Sequence, residues 1–473
     1  MLAASFKRTK IVSTIGPATS SPKVLEELLL AGVNMFRLNF AHGTQEGHAE
    51  VARNVRGLSA KHHKPAAVLC DIQGPKIRLG TLPEDGLPFV RGNVVRFKYA
   101  ADYHASGIIP MQHDVSAFVK VGERVLLRDG HVHLEIQKVG RGEVTAKVLV
   151  PGLVYSNQSM NLPDSDMGGQ ILTAKDIADL EYSVKTIRPD YIGYSFVQTA
   201  EDVQGMRARL KKLGSDAKII VKVETAAAID NLDAIVAATD AVMVARGDLA
   251  VETKPEAVPA AQRRMVDLGQ QYRKPVIVAT QMLESMIQSA TPTRAEVSDV
   301  ATAVLEGADA VMLSGETTVG LFPVEAVKVM KRIILYTESE ELAVMPGRDV
   351  AYGDRGDRQN AISAAAVVLA HQLRAKVIIA ETSSGRTARN ISALRPSVPI
   401  IMVTDHERVY TQLALLWGGK SYLVKDMKGA ADHVIHQLKT AGNIAAGDAV
   451  VLASGNQPGL VGGTDRVQIK IVD

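Results

Sequence analysis

Eight short apolar runs, at residues 10–15, 35–40, 67–72, 191–196, 218–224, 241–245, 275–280 and 310–313, recur with amphipathic helical patterns between most of them. This alternation restricts the fold more than any other feature. Strands that are apolar on both faces must be covered on both, so the runs belong in a parallel sheet with helices packed against it. Helix ends are readable in the same stretch. Ser21 can cap and Pro22 can start a helix that stops at Gly32, and Thr293 with Glu296 forms a capping box for a helix reaching Gly307. Eight such units predict an α/β fold closed into a (β/α)8 TIM barrel, with an open doubly wound sheet as the alternative. The barrel is favoured because polar residues cluster just after the strands and no glycine-rich dinucleotide loop follows the first run.

Between residues 72 and 191 the pattern becomes all-β. Segments 124–128 and 131–137 flank Asp129-Gly130, a two-residue hairpin signal, and 139–142 supplies another turn before 144–150. Residues 76–165 are expected to form an inserted all-β lid on the loop after the third strand, splitting the barrel into 1–75 and 166–345. Residues 346–360, PGRDVAYGDRGDRQN, read as a linker. They open a C-terminal α/β domain, 346–473, with strands at 376–381, 399–403, 421–424 and 449–453.

The chemistry-bearing residues sit at strand ends. Alternation sends Lys222 and Glu224 to one face of their strand and Val221 and Val223 to the other. The run 241–245 ends in Arg246, Gly247 and Asp248, so adjacent strands would gather an ammonium, a guanidinium and two carboxylates. An internal salt bridge closing the barrel end is one reading. The other makes Glu224 and Asp248 hard oxygen ligands of a divalent cation, with Lys222 on an anion that the metal also touches. Arg37 and Asn39 add an anion clamp and a neutral hydrogen-bonding group. With Asp71, Arg78, Ser195 and Thr280 near other strand ends, the collection favours catalysis on a phosphorylated anion.

Composition narrows the partners. The chain carries 54 basic and 51 acidic side chains, a formal charge of +3, so no basic stripe points to nucleic acid. Nowhere do about 18 apolar residues run together, and the N-terminal stretch lacks the apolar core of a signal peptide, which argues against a membrane. Cys70 is the sole cysteine, so no internal disulfide is available; a reducing, cytoplasmic location is expected. Inside an apolar run, Cys70 reads as a small core residue. His62 and His63 in KHHK read as a solvated helix end, and GGKS at 418–421 lacks the first glycine of a P-loop, Ala414 standing in its place.

The strings STIGPATS, RLNFAHG, DIQGPKIRLG, IIVKVET, VMVARGDLAVE, ATQMLESM, TPTRAEVSDVA and AVMLSGET, spread in order over residues 13–317, resemble the signature segments of the pyruvate kinases. The lid and C-terminal domain also fall where that family has its B and C domains. The resemblance implies phosphoryl transfer from phosphoenolpyruvate to ADP, giving pyruvate and ATP as the last step of glycolysis, in a homotetramer. It further implies Mg²⁺, with Mn²⁺ as an alternative, on Glu224 and Asp248, and a second Mg²⁺ entering with ADP. Lys222 would neutralise the moving phosphoryl group together with Arg37. The Gly247 and Asp248 N–H groups would take the substrate carboxylate, and Thr280 would stand beside the enolate carbon. Ser195 is expected in the substrate site, and Asn39, His42 and Arg78 against the phosphoryl group or the nucleotide.

The chain also departs from the pattern. Many members hold K⁺ with hydroxyls and an Asp, but two of those hydroxyl positions are Ala41 and Ile72 here, and Lys76 replaces a Glu. Paired with Asp71, the Lys76 ammonium would fill the place of K⁺, as in the bacterial, Lys-containing, K⁺-independent subgroup. Gln198 stands where relatives often carry a basic residue. In the C-terminal domain, Thr382, Ser383, Ser384, Gly385, Arg386 and Thr387 open a helix and suit either ordinary capping or a phosphate. By resemblance they are the effector phosphate loop of allosteric members. A Mg²⁺-dependent barrel lyase acting through an enolate, or a catalytically inactive metabolite sensor, are the alternatives; Arg37, Lys222, Glu224, Asp248 and Thr280 together disfavour the sensor.

Overall fold

The computed structural model describes residues 6–99, 103, 107–128, 130–165, 171–339, 357–455 and 463–473. The eight runs form β1 (Lys10–Ile15), β2 (Met35–Asn39), β3 (Ala67–Asp71), β4 (Tyr191–Tyr194), β5 (Lys218–Val223), β6 (Ala241–Ala245), β7 (Val276–Ala279) and β8 (Ala310–Leu313). They close in the order β1-β8-β7-β6-β5-β4-β3-β2, every neighbour parallel. The open-sheet alternative is thereby removed.

The two-residue period of the strands decides which side chains meet. Val12, Met35, Leu69, Ile220, Met243, Ile277 and Met312 fill the barrel interior, while Ile11, Phe36, Val68, Cys70, Ile219, Val221 and Val223 point outward into the helices. Arg37, Asp71 and Lys222 lie two residues beyond Met35, Leu69 and Ile220. They therefore face inward at the C-terminal mouth, where a barrel places its chemistry. The helices start and stop as expected. Ser21 accepts from the Val24 N–H at the start of Pro22–Ala31, and Thr293 with Glu296 forms a complete capping box for Arg294–Glu306, which Gly307 ends in the left-handed region.

The insert between β3 and β4 is all-β. It has a six-stranded sheet, in the order 160–161, 124–127, 132–140, 143–150, 94–99, 108–111, and a two-stranded ladder joining Leu87–Phe89 to Gly152–Val154. Phe97, Met111, Leu127, Val132, Leu134 and Ile136 give it a core of its own. Leu127 pairs with Val132 across the first turn, and Gly140 with Glu143 across the second. Asp129 of the hairpin signal lies outside the described residues.

Two expectations about the C-terminal third need correction. Residues 346–356 of the expected linker lie outside the described residues, and 358–360 open the helix Arg358–Gln372, capped by the Asp357 side chain. The sheet has five strands, not four: Thr464–Ile471 runs antiparallel along the edge of Ala449–Gly455. That strand was hard to see because its edge position leaves Ile469 and Ile471 45% and 61% exposed among charged neighbours. GGKS enters a strand, Gly419–Leu423.

The C-terminal domain also closes the floor of the barrel. Ala414 and Leu415, in the short turn Leu413–Leu415, pack with Met35, Tyr191, Met243 and Met312 at the N-terminal ends of the strands. Around this plug the Tyr191 hydroxyl donates to Gln412 O at 2.7 Å, and Arg395 donates to Asp309 at 2.8 Å with its guanidinium 4.8 Å from the Trp417 ring centre. Leu415→Ala should therefore destabilise the protein by about 2–5 kcal/mol, seen as a lower denaturation midpoint. An unchanged midpoint would mean that Leu415 is not seated there.

Cys70 is buried in the outer layer of the barrel, and burial pushes its thiol up to about 12. A thiol reagent should modify it only after unfolding; rapid labelling of the native protein would contradict its placement.

Candidate active site

At the C-terminal mouth, β2, β3 and β5 bring a guanidinium, a carboxylate and an ammonium together. Arg37 donates to Asp71 Oδ2 from Nε at 2.7 Å and from Nη2 at 2.5 Å, and its Nη1 donates to Thr14 Oγ1 at 3.0 Å. Lys222 Nζ donates to Ser195 Oγ at 2.8 Å, and Ser195 Oγ donates in turn to Ile72 O at 2.7 Å. The same ammonium lies 2.9 Å from Glu224 Oε1 and 3.6 Å from Asp71 Oδ1. Both oxygens are buried, and the Lys222 ammonium is the partner each of them meets. Glu224 Oε2 accepts the Phe196 N–H at 2.9 Å.

The charges hold one another ionised against burial. Burial pushes the Asp71 carboxyl up, but Lys222 and Arg37 outweigh it and keep the group below the usual carboxylate range. Burial likewise pulls the Lys222 ammonium down, and Asp71 with Glu224 more than reverses that. Glu224 differs: burial, together with the Asp248 charge, raises it despite Lys222. A buried carboxylate with an unsatisfied oxygen is costly unless a cation joins it.

β6 leads into the helix Arg246–Glu252, and here the structure corrects two expectations. Lys76 pairs with Asp248 Oδ1 at 2.7 Å and not with Asp71, whose oxygens face Arg37 and Lys222. Burial raises the Asp248 carboxyl, but Lys76 and Lys222 outweigh it and hold it low. The Arg246 guanidinium does not join the charged cluster. It binds both oxygens of Asp299 at 2.7 Å and donates to Thr280 O at 2.6 Å and Ala279 O at 3.1 Å. These bonds hold a strained residue in place: Thr280 is β-branched yet adopts φ +69°, a conformation costing about 1–3 kcal/mol that neighbours must enforce. Thr280 Oγ1 accepts the Gly247 N–H at 2.9 Å and donates to Ala279 O at 2.7 Å.

The remaining candidates ring the mouth. Asn39 Oδ1 accepts the Ala41 N–H at 3.2 Å. His42 is lowered by burial and then by Arg78, Arg37 and Lys76, which sets it among the site's cations. Arg78, on the inserted domain, donates to Asn157 O at 2.9 Å. Sequence reasoning missed Thr14 and Asp299, whose roles depend on partners far away in the chain, and also Asn161, which donates from the inserted domain to Glu252 Oε1 at 2.8 Å.

Among the described residues, no three His, Cys, Asp or Glu side chains cluster as a self-sufficient metal cage. The residues nevertheless fit Mg²⁺, which commonly takes one or two protein carboxylates and completes its shell with substrate and water. Glu224 supplies a buried oxygen whose partner is the Lys222 ammonium alone, and Asp248 a second hard donor beyond the next strand.

Away from the barrel mouth, only part of the loop 382–387 is open to a phosphate. Thr382 Oγ1 accepts the Gly385 N–H at 2.9 Å, Arg386 pairs with Asp357 at 2.5 Å, and the Thr387 hydroxyl is buried against Thr464 at 2.6 Å. Thr387 is therefore committed to packing. Ser383 and Ser384 are only partly buried.

Two family descriptions match the chain: "Pyruvate kinase, barrel domain" over residues 6–327 and "Pyruvate kinase, alpha/beta domain" over 360–470. A pyruvate kinase of Agrobacterium vitis is 41% identical over 478 aligned positions, covering 99% of each chain. One of Mycobacterium tuberculosis is 39% identical over 468, covering 98% of each. The crystal structure of a pyruvate kinase from Cryptosporidium parvum superposes with a TM-score of 0.89 at 33% identity, covering 99% of this chain and 96% of that one.

Proposed function

The chain belongs to the pyruvate kinase family, and from that premise we propose how its own residues move a phosphoryl group from phosphoenolpyruvate to ADP, giving pyruvate and ATP. The observation that carries the reading is the Lys222 ammonium, buried among Ser195, Glu224 and Asp71 at the barrel mouth. Phosphoryl transfer needs little covalent help from a protein; it needs aligned reactants and neutralised charge. Lys222 and Arg37 supply fixed positive charge to the phosphoryl oxygens while an ADP oxygen attacks phosphorus and the enolate oxygen leaves. Asn39, His42 and Arg78 line the side from which ADP approaches.

A divalent cation, Mg²⁺ or Mn²⁺, held by Glu224 and Asp248 would withdraw further charge from the transferring group. The substrate carboxylate takes the N–H groups of Gly247 and Asp248. Since Gly247 N–H is engaged by Thr280 Oγ1, carboxylate binding frees the acceptor side of that hydroxyl, whose proton goes to Ala279 O, and Thr280 then positions the water that delivers the proton converting the enolate carbon to the methyl group of pyruvate. One proton is consumed as the phosphoryl group passes to ADP. Lys76 serves as a built-in monovalent cation, placed beside Asp248. Ser383, Ser384 and Arg386 form the accessible part of an effector phosphate site, and a cytoplasmic homotetramer is the expected assembly.

Mixing the protein with phosphoenolpyruvate, ADP and Mg²⁺ should yield pyruvate only when ADP is present. Pyruvate formed equally well without ADP would support the lyase reading in its place.

A further inference from the structure

The helix Arg246–Glu252 is only about two turns long, and it carries Asp248 in its first turn. A helix this short has little stability of its own, so the contacts at its two ends decide where it lies. At the first end Arg246 is tied to Asp299, and Asp248 to Lys76. At the other end the partners come from the inserted domain. Asn161 Nδ2 donates to Glu252 Oε1 at 2.8 Å, and a Cβ built on Gly130 would lie 3.5 Å from the buried side chain of Val251.

Both contacts belong to one corner of the insert. Asn161 pairs with Leu126, in the first strand of the hairpin on whose turn Gly130 sits. Arg124, at the start of that strand, binds both oxygens of Asp164 at 2.9 and 2.7 Å, which fastens the chain just beyond Asn161 to the same hairpin. The corner therefore rests on the helix end as one unit.

Asn161 is costly to keep there. It is 5% exposed, and its Oδ1 is buried with no hydrogen-bond partner among the described residues. An apolar side chain of similar size would avoid that cost; what the amide alone supplies is the N–H bond to Glu252. Glu252 follows Asp248 by four residues, one turn along the same face. Holding the Glu252 carboxylate thus fixes the rotation of the helix about its axis, and with it the direction in which Asp248 projects.

We propose, on the premise that this site transfers a phosphoryl group, that Asn161 and Glu252 are positioning residues: their hydrogen bond lets the seat of the inserted domain on the helix set the placement of Asp248, and so the affinity for the divalent cation and for phosphoenolpyruvate. Both act through Asp248 and not on the reacting atoms.

Asn161→Ala, and the isosteric Asn161→Asp that sets a carboxylate against Glu252, should each raise KM for phosphoenolpyruvate at least fivefold with kcat within twofold of wild type. Glu252→Gln keeps an acceptor and should leave KM within twofold, whereas Glu252→Ala should match Asn161→Ala. Combining Asn161→Ala with Glu252→Ala should be no worse than either alone. Mn²⁺ binding to the substrate-free protein, followed by electron paramagnetic resonance, should weaken at least threefold in Asn161→Ala and stay unchanged in Glu252→Gln. Circular dichroism checks that each variant is folded. Unchanged KM and Mn²⁺ affinity in Asn161→Ala, effects that multiply in the double variant, or a Glu252→Gln as impaired as Glu252→Ala overturns the proposal. Failure of the phosphoryl-transfer premise looks different: wild type would then form no ATP, and the Mn²⁺ affinities would still decide the role of Asn161.

Discussion

Lys222→Met is expected to lower kcat by on the order of 10³-fold or more, equivalent to about 4 kcal/mol of transition-state stabilisation. The Lys222 ammonium is the only cation in contact with Glu224 among the described residues, and it also faces Asp71. Removing it withdraws charge from the group in flight and leaves two buried carboxylates less compensated. The second effect lowers stability, so the variant's fold must be checked by circular dichroism at the assay temperature. A folded variant retaining more than a tenth of wild-type turnover would contradict the role given to Lys222.

The second large effect concerns Lys76. Wild-type turnover should stay within about twofold when Na⁺ or Tris replaces all K⁺ and NH₄⁺, because an ammonium is already fixed 2.7 Å from Asp248. Lys76→Met should lose on the order of 10²-fold in kcat. Added K⁺ should not restore it, since Ala41 and Ile72 offer no hydroxyls to hold the ion. A collapse of wild-type turnover without K⁺ would show that Lys76 does not replace it.

The barrel was legible because eight buried strands leave an alternation that few other folds produce, and the period within each strand decides which side chains face inward. That is why Arg37, Asp71, Lys222 and Glu224 could be assigned to one mouth. Pairings between them were less legible. Lys76 and Arg246 have long, flexible side chains, and which carboxylate each reaches depends on loop paths that local sequence does not encode: Lys76 reaches Asp248, and Arg246 turns to Asp299. Thr280 shows the same limit, since nothing in ATQML announces a β-branched residue at positive φ. The edge strand Thr464–Ile471 was hidden by its polarity, and the floor plug by its shortness, three residues whose burial is created entirely by docking against the barrel.

Phosphorus NMR of the protein with phosphoenolpyruvate, ADP and Mg²⁺ tests the assignment of phosphoryl transfer to this site most directly. The phosphoenolpyruvate resonance should decline while the γ-phosphate of ATP grows one for one, and Lys222→Met should abolish both changes. Phosphoenolpyruvate loss accompanied by inorganic phosphate in place of ATP, or unchanged transfer by Lys222→Met, would contradict it.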